Sequence, residues 1–177
     1  MLKIVLIGFV AAVVVLLVVV ALQPSSFRIE RSATIAAPPA AVFAQVNDFH
    51  NWEAWNPWQK VDPGVKNTYS GAPAGPGATF AWQGNKDVGE GRMTIVESHP
   101  NDLVKIRLEF LKPFAATNTA DFTFVPAGNQ TRVTWAMFGD NSFMAKAMGL
   151  IMNMDKMVGG QFEKGLADLK SIAETKA

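Results

Sequence analysis

One stretch of the sequence decides the fold: residues 142–176, which read SFMAKAMGLIMNMDKMVGGQFEKGLADLKSIAETK. The charged side chains of this stretch fall on one face, and the apolar side chains recur every three or four residues on the other. The pattern predicts a long amphipathic helix, or two helices in line, that needs an apolar partner surface. Its apolar face is formed by Met144, Ala147, Met148, Ile151, Met152, Val158, Phe162, Leu166, Leu169 and Ile172.

The first half of this stretch is rich in methionine, a flexible and polarizable side chain that adapts to irregular partners. Two interpretations of these methionines stay open. They fill gaps in an ordinary core, or they line a cavity for an apolar ligand. The five residues fall within fourteen positions: Met144, Met148, Met152, Met154 and Met157.

The length of the stretch indicates an interruption. One straight helix over 142–176 would be about 50 Å long, whereas a domain of about 150 residues is only about 35–40 Å across. We therefore expect a kink or break at Gly159-Gly160. The half before it, Met144 to Met157, is the predicted ligand mouth, and the half after it, Phe162 to Ile172, is predicted core.

The partner surface comes from the middle of the chain, where apolar and polar residues alternate as in half-buried strands. A helix over Ala40 to Asp48 follows Pro38-Pro39, and residues 49–58 form a further short helix. Antiparallel strands with one apolar face need a cover on that face. We therefore predict an α+β fold in which a curved antiparallel sheet of about six or seven strands wraps around the long C-terminal helix. The predicted strands cover residues 27–35, 66–70, 78–83, 88–98, 103–111, 114–125 and 131–138.

The N-terminal segment predicts a membrane anchor. Ile4 to Leu22 is nineteen residues without a polar side chain, and as a helix it spans about 28 Å, close to the ~30 Å hydrocarbon thickness of a bilayer. A cleaved signal peptide is the alternative, although its apolar core is usually shorter. The predicted organisation is an anchor over 1–23 that contacts the bilayer through residues 4–22, a linker over 24–26 and a ligand-binding domain over 27–177.

The charges around this segment leave its orientation open. Lys3 precedes the apolar run, and Arg28 and Arg31 follow it, offset by Glu30. We expect a single-pass protein of a bacterial inner membrane, with the domain outside the cytoplasm because the N-terminal tail is so short.

Composition excludes several classes of function. The net charge is +1, and beyond Lys3 the 15 remaining basic residues balance 15 acidic ones, so the domain lacks the positive charge that nucleic acid binding needs. The chain contains no cysteine, which excludes thiol chemistry and disulfides. Neither His50 nor His99 has metal ligands at a known spacing. We expect no nucleic acid, metal or cofactor, and the sequence identifies no protein partner.

A ligand cavity would be lined by aromatic, amide and methionine side chains on the inward faces of the strands and helices. The tryptophans at 52, 55 and 58 have two open interpretations: they close one end of the core, or they form an aromatic rim at a ligand mouth or at the membrane interface. The predicted ligand-binding residues are Trp52, Trp55, Trp82, Phe110, Asn118, Phe122, Trp135, Met137, Met144, Met148 and Met152.

Catalysis in such a pocket would need an acid, a base or a polar group held among apolar residues. The candidates are Asn118, Asp155 and Arg92. Asp155 could instead cap a helix, and Asn118 could be a buried amide bonded to the backbone. Arg31 is either at a sheet edge or directed into the cavity. The balance favours a protein that is not an enzyme.

Several segments together resemble the START-like, helix-grip superfamily, also called SRPBCC, and in particular its polyketide cyclase/dehydrase and lipid-transport branch. The resemblance covers residues 27–174 and implies a deep apolar cavity between the sheet and the C-terminal helix. It does not determine an activity, because the superfamily includes lipid carriers, hormone binders, cyclases and chaperone cofactors. The segments that carry it are Ile35 to Phe43, Asn51-Trp52, Trp55 to Trp58, Gly89 to Met93 and Phe162 to Lys170.

Three functions follow from this likeness and from the anchor. The favoured one is a membrane-anchored domain that binds a hydrophobic or amphipathic small molecule, such as a lipid or a polyketide-like compound. The second is a membrane-associated structural or interaction domain with a filled core. The third is an enzyme of the cyclase or dehydratase type.

Overall fold

The computed structural model describes residues 1–176 of the 177-residue chain, so the last position of the predicted domain lies outside the described residues. These residues form five α-helices, a short 3₁₀ helix and seven strands. The helices are α1 (Leu2–Ala21), α2 (Pro39–Asn47), α3 (Pro57–Val61), α4 (Phe143–Gly149) and α5 (Met154–Lys176), and the 3₁₀ helix covers Phe49–Ala54. The strands are β1 (Ser26–Ile35), β2 (Lys66–Gly71), β3 (Ala78–Gln83), β4 (Glu90–His99), β5 (Leu103–Lys112), β6 (Ala116–Ala127) and β7 (Gln130–Asp140).

The strands form one antiparallel, curved sheet in the order β1-β7-β6-β5-β4-β3-β2. Strands β2 to β7 follow one another as a meander because each pair is joined by a short turn. The first strand then pairs with the last, with Ser26 opposite Asp140 and Ile35 opposite Thr131. This α+β architecture confirms the predicted fold, and its seven strands fall within the predicted number.

The core lies between the concave face of the sheet and the helices α2 and α5. Helix α5 buries Phe162, Leu166, Leu169 and Ala173 against it, which are spaced by three or four residues as the sequence pattern requires. Two polar contacts hold the C-terminal half of α5 beside β1. The Lys170 ammonium donates to the Thr34 carbonyl at 2.7 Å, and the Ala36 amide donates to the Glu174 carboxylate at 2.7 Å.

The C-terminal helical region is interrupted, as expected, but the predicted position at Gly159-Gly160 is wrong. The interruption lies between Gly149 and Met154, and both glycines are inside α5. The new helix begins where the Asn153 carboxamide accepts from the Lys156 amide at 2.9 Å. Asn153, and not Asp155, therefore supplies the side-chain cap.

A long-range contact explains why α5 keeps a glycine at position 159. A Cβ atom there would lie 2.2 Å from Nη2 of Arg31, so a larger residue would displace the guanidinium from its present position against the helix. A glycine inside a helix costs about 1 kcal/mol of stability relative to alanine, which is why the sequence pattern predicted a break. In α5 the helix continues through Gly159, and the glycine gives space to Arg31 of β1.

Arg31 lies on an edge strand, and its charge is paired with the helix. Its guanidinium bonds Asp155 at 3.0 Å and Glu163 at 2.7 Å. Of the two alternatives for Arg31, the edge position is therefore the one observed.

Helix α1 lies outside the core. Among residues 1–176 it is the one helix long and apolar enough to cross a bilayer, a test that a signal sequence also passes. The predicted division at 1–23, 24–26 and 27–177 stays a prediction, although the observed gap between α1 and β1, residues 22–25, is close to it.

Candidate functional site

An apolar cavity of about 90 Å³ lies inside the curve of the sheet. Strands β2 to β7, the segment 56–59 and helix α5 all contribute to its wall. The lining residues are Trp52, Asn56, Trp58, Gln59, Val65, Asn67, Phe80, Trp82, Val88, Met93, Leu108, Phe110, Ala120, Trp135 and Phe162.

The sheet places the apolar part of this lining side by side. Phe80 is opposite Met93 in the β3–β4 pair, and Met93 is opposite Leu108 in the β4–β5 pair. Since side chains alternate between the two faces of a strand, residues that are directly opposite share a face. These three side chains therefore form one continuous apolar stripe across the concave face.

Stacked aromatic rings form one wall of the cavity. The Trp135 ring lies 4.1 Å from Phe162 and nearly parallel to it, at 13°, and it stacks on Phe122 at 4.8 Å on its other flank. The Trp52 indole packs edge-on against Trp135 and donates its N–H to the Val46 carbonyl at 2.9 Å. Because the indole donor is satisfied, this wall is both apolar and fixed in place.

A glycine allows one tryptophan to reach the cavity. Trp82 is opposite Gly91 in the β3–β4 pair, and a Cβ at position 91 would lie 2.4 Å from Cζ2 of the indole. Glycine thus lets the ring lie flat over the neighbouring strand.

Three amides, those of Asn56, Gln59 and Asn67, are the polar members of the lining. The Asn67 carboxamide donates from Nδ2 to Oε1 of Gln59 at 2.8 Å. Its own oxygen, Oδ1, is buried and is the one buried side-chain polar atom among the described residues that lacks a hydrogen-bond partner. A buried acceptor without a partner costs about 1–3 kcal/mol, so this oxygen would be stabilised by a hydrogen-bond donor.

The lining contains no side chain that titrates. All fifteen lining residues are apolar, aromatic or amide in type. In addition, residues 1–176 contain no group of three His, Cys, Asp or Glu side chains placed to hold a metal ion. The cavity as described can bind and orient a molecule, but its walls supply no general acid or base.

Four of the predicted ligand-binding residues line the cavity: Trp52, Trp82, Phe110 and Trp135. Three others, Trp55, Phe122 and Met137, are buried in the core but are not in the lining. The tryptophan group is therefore divided between the core and the cavity lining. Trp55 closes the core, while Trp52 and Trp58 face the cavity.

The predicted ligand mouth at the methionines does not coincide with the cavity. Met144, Met148 and Met152 are absent from its lining. They belong to α4 and the segment after it, and α4 lies against the end of α1, where the Lys146 ammonium bonds the Ala21 carbonyl at 3.3 Å. The helix that covers the cavity is α5, and it contributes Phe162, from the half that was expected to be plain core.

The catalytic candidates lie apart from the cavity. Arg92 makes a two-pronged ion pair with Glu109, at 2.7 and 3.0 Å, and the guanidinium lowers the pKa of that carboxylate. Asp155 bonds Arg31, which lowers its pKa in the same way. Arg92 and Asp155 are thus both held charged in ion pairs at the protein surface. Such ion pairs stabilise the fold and do not act on a molecule in the cavity.

Asn118 lies against Gly139, where a Cβ would be 2.4 Å from its Oδ1. It borders a second depression, which is open to solvent and has a volume of about 370 Å³. This larger space is less suited to a ligand than the apolar cavity, because it is open to solvent and Lys105, Arg107 and other polar residues line it.

Some lining residues were missed by sequence reasoning. Phe80, Leu108 and Phe162 carried the right signal, an inward position in a periodic segment. Asn67 carried none, because β2 is short and its burial depends on pairing with β3. Its amide becomes informative only once the fold shows that its oxygen is buried.

Comparison with known proteins agrees with this architecture. The chain matches the family model described as polyketide cyclase / dehydrase and lipid transport over residues 26–174. No curated protein sequence matches it.

Several solved structures share the fold. A protein from Thermobifida fusca has a TM-score of 0.62 at 23% identity, covering 82% of this chain and 92% of that chain. The Aha1 dimer from Colwellia psychrerythraea has a TM-score of 0.56 at 17% identity, with coverage of 84% and 96%. The di-domain ARO/CYC StfQ of the steffimycin biosynthetic pathway has a TM-score of 0.61 at 13% identity, with coverage of 86% and 52%. The family match spans most of the sequence, the whole of the sheet and nearly all of α5, and the chain therefore belongs to the polyketide cyclase / dehydrase and lipid transport family.

Proposed function

We propose that this protein is a membrane-anchored binding domain for a narrow, largely apolar molecule that carries one polar group. The molecule, a lipid or a polyketide-like compound, lies between the sheet and α5. Its apolar part contacts the aromatic wall, and its polar group donates a hydrogen bond to Asn67. The single observation that carries this proposal is a mostly apolar cavity whose lining includes Asn67, a residue whose buried side-chain oxygen has no hydrogen-bond partner.

The size of the cavity favours a narrow ligand. Pockets that enclose drug-sized molecules are usually about 300–1,000 Å³, and an apolar cavity of about 150 Å³ holds benzene. A space of about 90 Å³ accommodates a short apolar group or part of an alkyl chain without rearrangement. A wider ring system would require side chains such as Trp58 to move.

The walls favour binding over acid–base catalysis. A cyclase or dehydratase that uses protein acids and bases needs a titratable side chain within hydrogen-bond reach of its substrate, and the described lining has none. The space itself is evidence against the alternative of a completely filled core. The relation to an aromatase/cyclase is one of fold and brings no chemistry to this chain.

The proposed membrane anchor favours an apolar ligand over a polar one. A bilayer dissolves molecules of this kind, and a short linker holds the domain at the membrane surface. The favoured arrangement remains a single pass through a bacterial inner membrane with the domain outside the cytoplasm.

Quenching of tryptophan fluorescence tests the proposal. The probe is a long-chain alcohol with bromine at its apolar end, since a heavy atom in contact with an indole quenches its emission. All five tryptophans lie in the domain and none lies in α1, so the signal reports the domain even in detergent. We expect saturable quenching, because Trp52, Trp82 and Trp135 line the cavity.

Two variants separate specific binding from general partition. Ala120→Leu places a larger side chain in the lining and should abolish saturable quenching. Ala167→Leu makes the same change on the exposed face of α5 and should leave it intact. Equal quenching in both variants would refute the cavity as the binding site.

The role of Asn67 needs a matched pair of probes. Asn67→Leu should weaken binding of the bromoalcohol by about 2–12-fold, the equivalent of one neutral hydrogen bond of about 0.5–1.5 kcal/mol. The corresponding bromoalkane, which has no donor, should bind the variant at least as well as the wild type. A similar loss for both probes would show that Asn67 only shapes the cavity.

A further inference from the structure

An exposed apolar patch lies where the two C-terminal helices meet. We call it the α4–α5 patch, and it consists of Phe143, Met144, Leu150, Ile151, Met154 and Met157. Ile151 is 80% exposed and Phe143 is 53% exposed. Several exposed large apolar side chains on neighbouring turns are typical of a surface that an apolar phase or a partner covers.

The position of the patch identifies what covers it. Helix α4 lies against the C-terminal end of α1, where Val20 is buried and the Lys146 ammonium bonds the Ala21 carbonyl. If α1 spans a bilayer, Ala21 is at its boundary. The α4 part of the patch would then lie beside the membrane boundary.

A second observation comes from the end of the sheet at which β1 begins. Ser26 of β1 is opposite Asp140 of β7, and Ala116 of β6 is opposite Phe110 of β5, so these positions lie at the same end of the strands. The β5–β6 connection at this end exposes Phe114 by 62%. The end of the sheet that follows the anchor thus carries apolar side chains on more than one element.

The charges near the patch suit the membrane boundary. Lys156 is exposed on α5, and Lys146 is half-buried on α4 with its ammonium group bonded to the Ala21 carbonyl. Lysine side chains extend their ammonium groups to the headgroup level while their stems stay in the apolar zone. The nearby carboxylates of Asp155 and Glu163 share the single positive charge of Arg31, which offsets part of their repulsion of anionic headgroups.

We propose that the α4–α5 patch inserts into the interface of the bilayer that α1 crosses, so that the domain lies on the membrane at a fixed orientation. This rests on the proposed anchoring by α1 but not on ligand binding. Trp82 and Phe110 of the cavity lie toward the same end of the sheet, where each is paired with Gly91 from a strand on one side of β4. Docking would therefore hold that end of the cavity close to lipid and give an apolar ligand a short path from the bilayer.

Spin labels on the full-length chain test this docking. The sequence has no cysteine, so a single introduced cysteine is the one labelling site. The test sites are Ile151→Cys and Phe143→Cys. The aqueous control is Val125→Cys, which is also exposed. It lies nine residues beyond Ala116 along β6, about 30 Å from that end of the sheet. The membrane control is Val14→Cys in the middle of α1.

The labelled proteins are placed singly in nanodiscs of phosphatidylcholine and phosphatidylglycerol. Collisions with oxygen, which concentrates in lipid, are compared with collisions with a water-soluble nickel chelate. We expect oxygen to dominate at 14, 143 and 151 and the nickel chelate to dominate at 125.

Three results would overturn the proposal. A label at 151 with the nickel accessibility of the label at 125 means that the patch faces water, while an oxygen-dominated label at 14 would leave the anchor standing. A label at 151 shielded from both reagents means that protein covers the patch. A label at 14 in water would refute the anchor and the docking together, and ligand binding would still be judged by quenching.

Discussion

Two alanine substitutions in α5 test how the sheet holds this helix. Gly160 and Gly165 both lie inside the helix, and neither has a positive φ. A Cβ at 160 meets nothing within 4 Å, whereas a Cβ at 165 would lie 2.8 Å from Cζ3 of Trp135 and 3.0 Å from Cδ of Pro57. Trp135 cannot yield, because Phe162 and Phe122 stack on its two sides.

The expected effects differ in sign. Replacing glycine by alanine inside a helix stabilises it by about 0.5–1 kcal/mol, so Gly160→Ala should raise the free energy of unfolding by that amount. Gly165→Ala gains the same helix term but overpacks the core, which costs about 1–3 kcal/mol. Both variants gain the same stabilisation from alanine in a helix. The difference between their free energies of unfolding is therefore the cost of overpacking, about 1–3 kcal/mol.

Thermal unfolding in detergent, followed by the near-ultraviolet circular dichroism of the tryptophans, measures this difference. For a chain of this size, 1 kcal/mol corresponds to about 2–4 °C. Gly160→Ala should therefore melt about 1–4 °C above the wild type and roughly 2–12 °C above Gly165→Ala. If Gly165→Ala melts as high as Gly160→Ala, the close contact between α5 and Trp135 does not exist.

Three further predictions concern charge and packing. The ion pair with Arg31 lowers the pKa of Asp155, so its stabilisation is complete above the unfolded pKa of about 4 and is lost as the pH falls through the folded value. Asp155→Asn should thus reduce the fall in melting temperature between pH 5 and pH 3, and an unchanged pH profile would contradict the pairing. Burial raises the pKa of Asp121, so its charge destabilises the folded state above the folded pKa. Asp121→Asn should therefore raise the melting temperature at pH 7 but not at pH 3. A lower melting temperature of this variant at pH 7 would refute this prediction. Gly91→Ala should displace the Trp82 indole, whose ring would lie 2.4 Å from the new Cβ, and should lower the melting temperature by about 2–12 °C for about 1–3 kcal/mol of overpacking; an unaltered tryptophan emission spectrum would show that the ring lies elsewhere.

The architecture was predictable because its signals are local. Residues 103–111 alternate apolar and polar side chains over a whole strand, and the final helix repeats its apolar residues at the helical period. The break in that helix was misplaced because the contact of Gly159 with Arg31 joins residues far apart in the sequence. Sequence patterns register the flexibility of a glycine but not the side chain that needs its space.

The site was less predictable than the fold. Inward aromatic residues such as Trp135 and Phe110 follow from strand alternation, but alternation does not distinguish a filled core from a cavity. The methionines of α4 had an apolar, helical pattern that fits a cavity and a membrane surface equally well. Their location became clear only from the contact between α4 and α1.

The cavity is tested most directly by anomalous diffraction from crystals of the full-length protein soaked with the bromoalcohol. We predict a bromine peak among Leu108, Phe110 and Phe162, with the hydroxyl group within hydrogen-bond distance of Oδ1 of Asn67. An occupied bromine site elsewhere, or a saturated soak that leaves these residues without a peak, would contradict binding in this cavity.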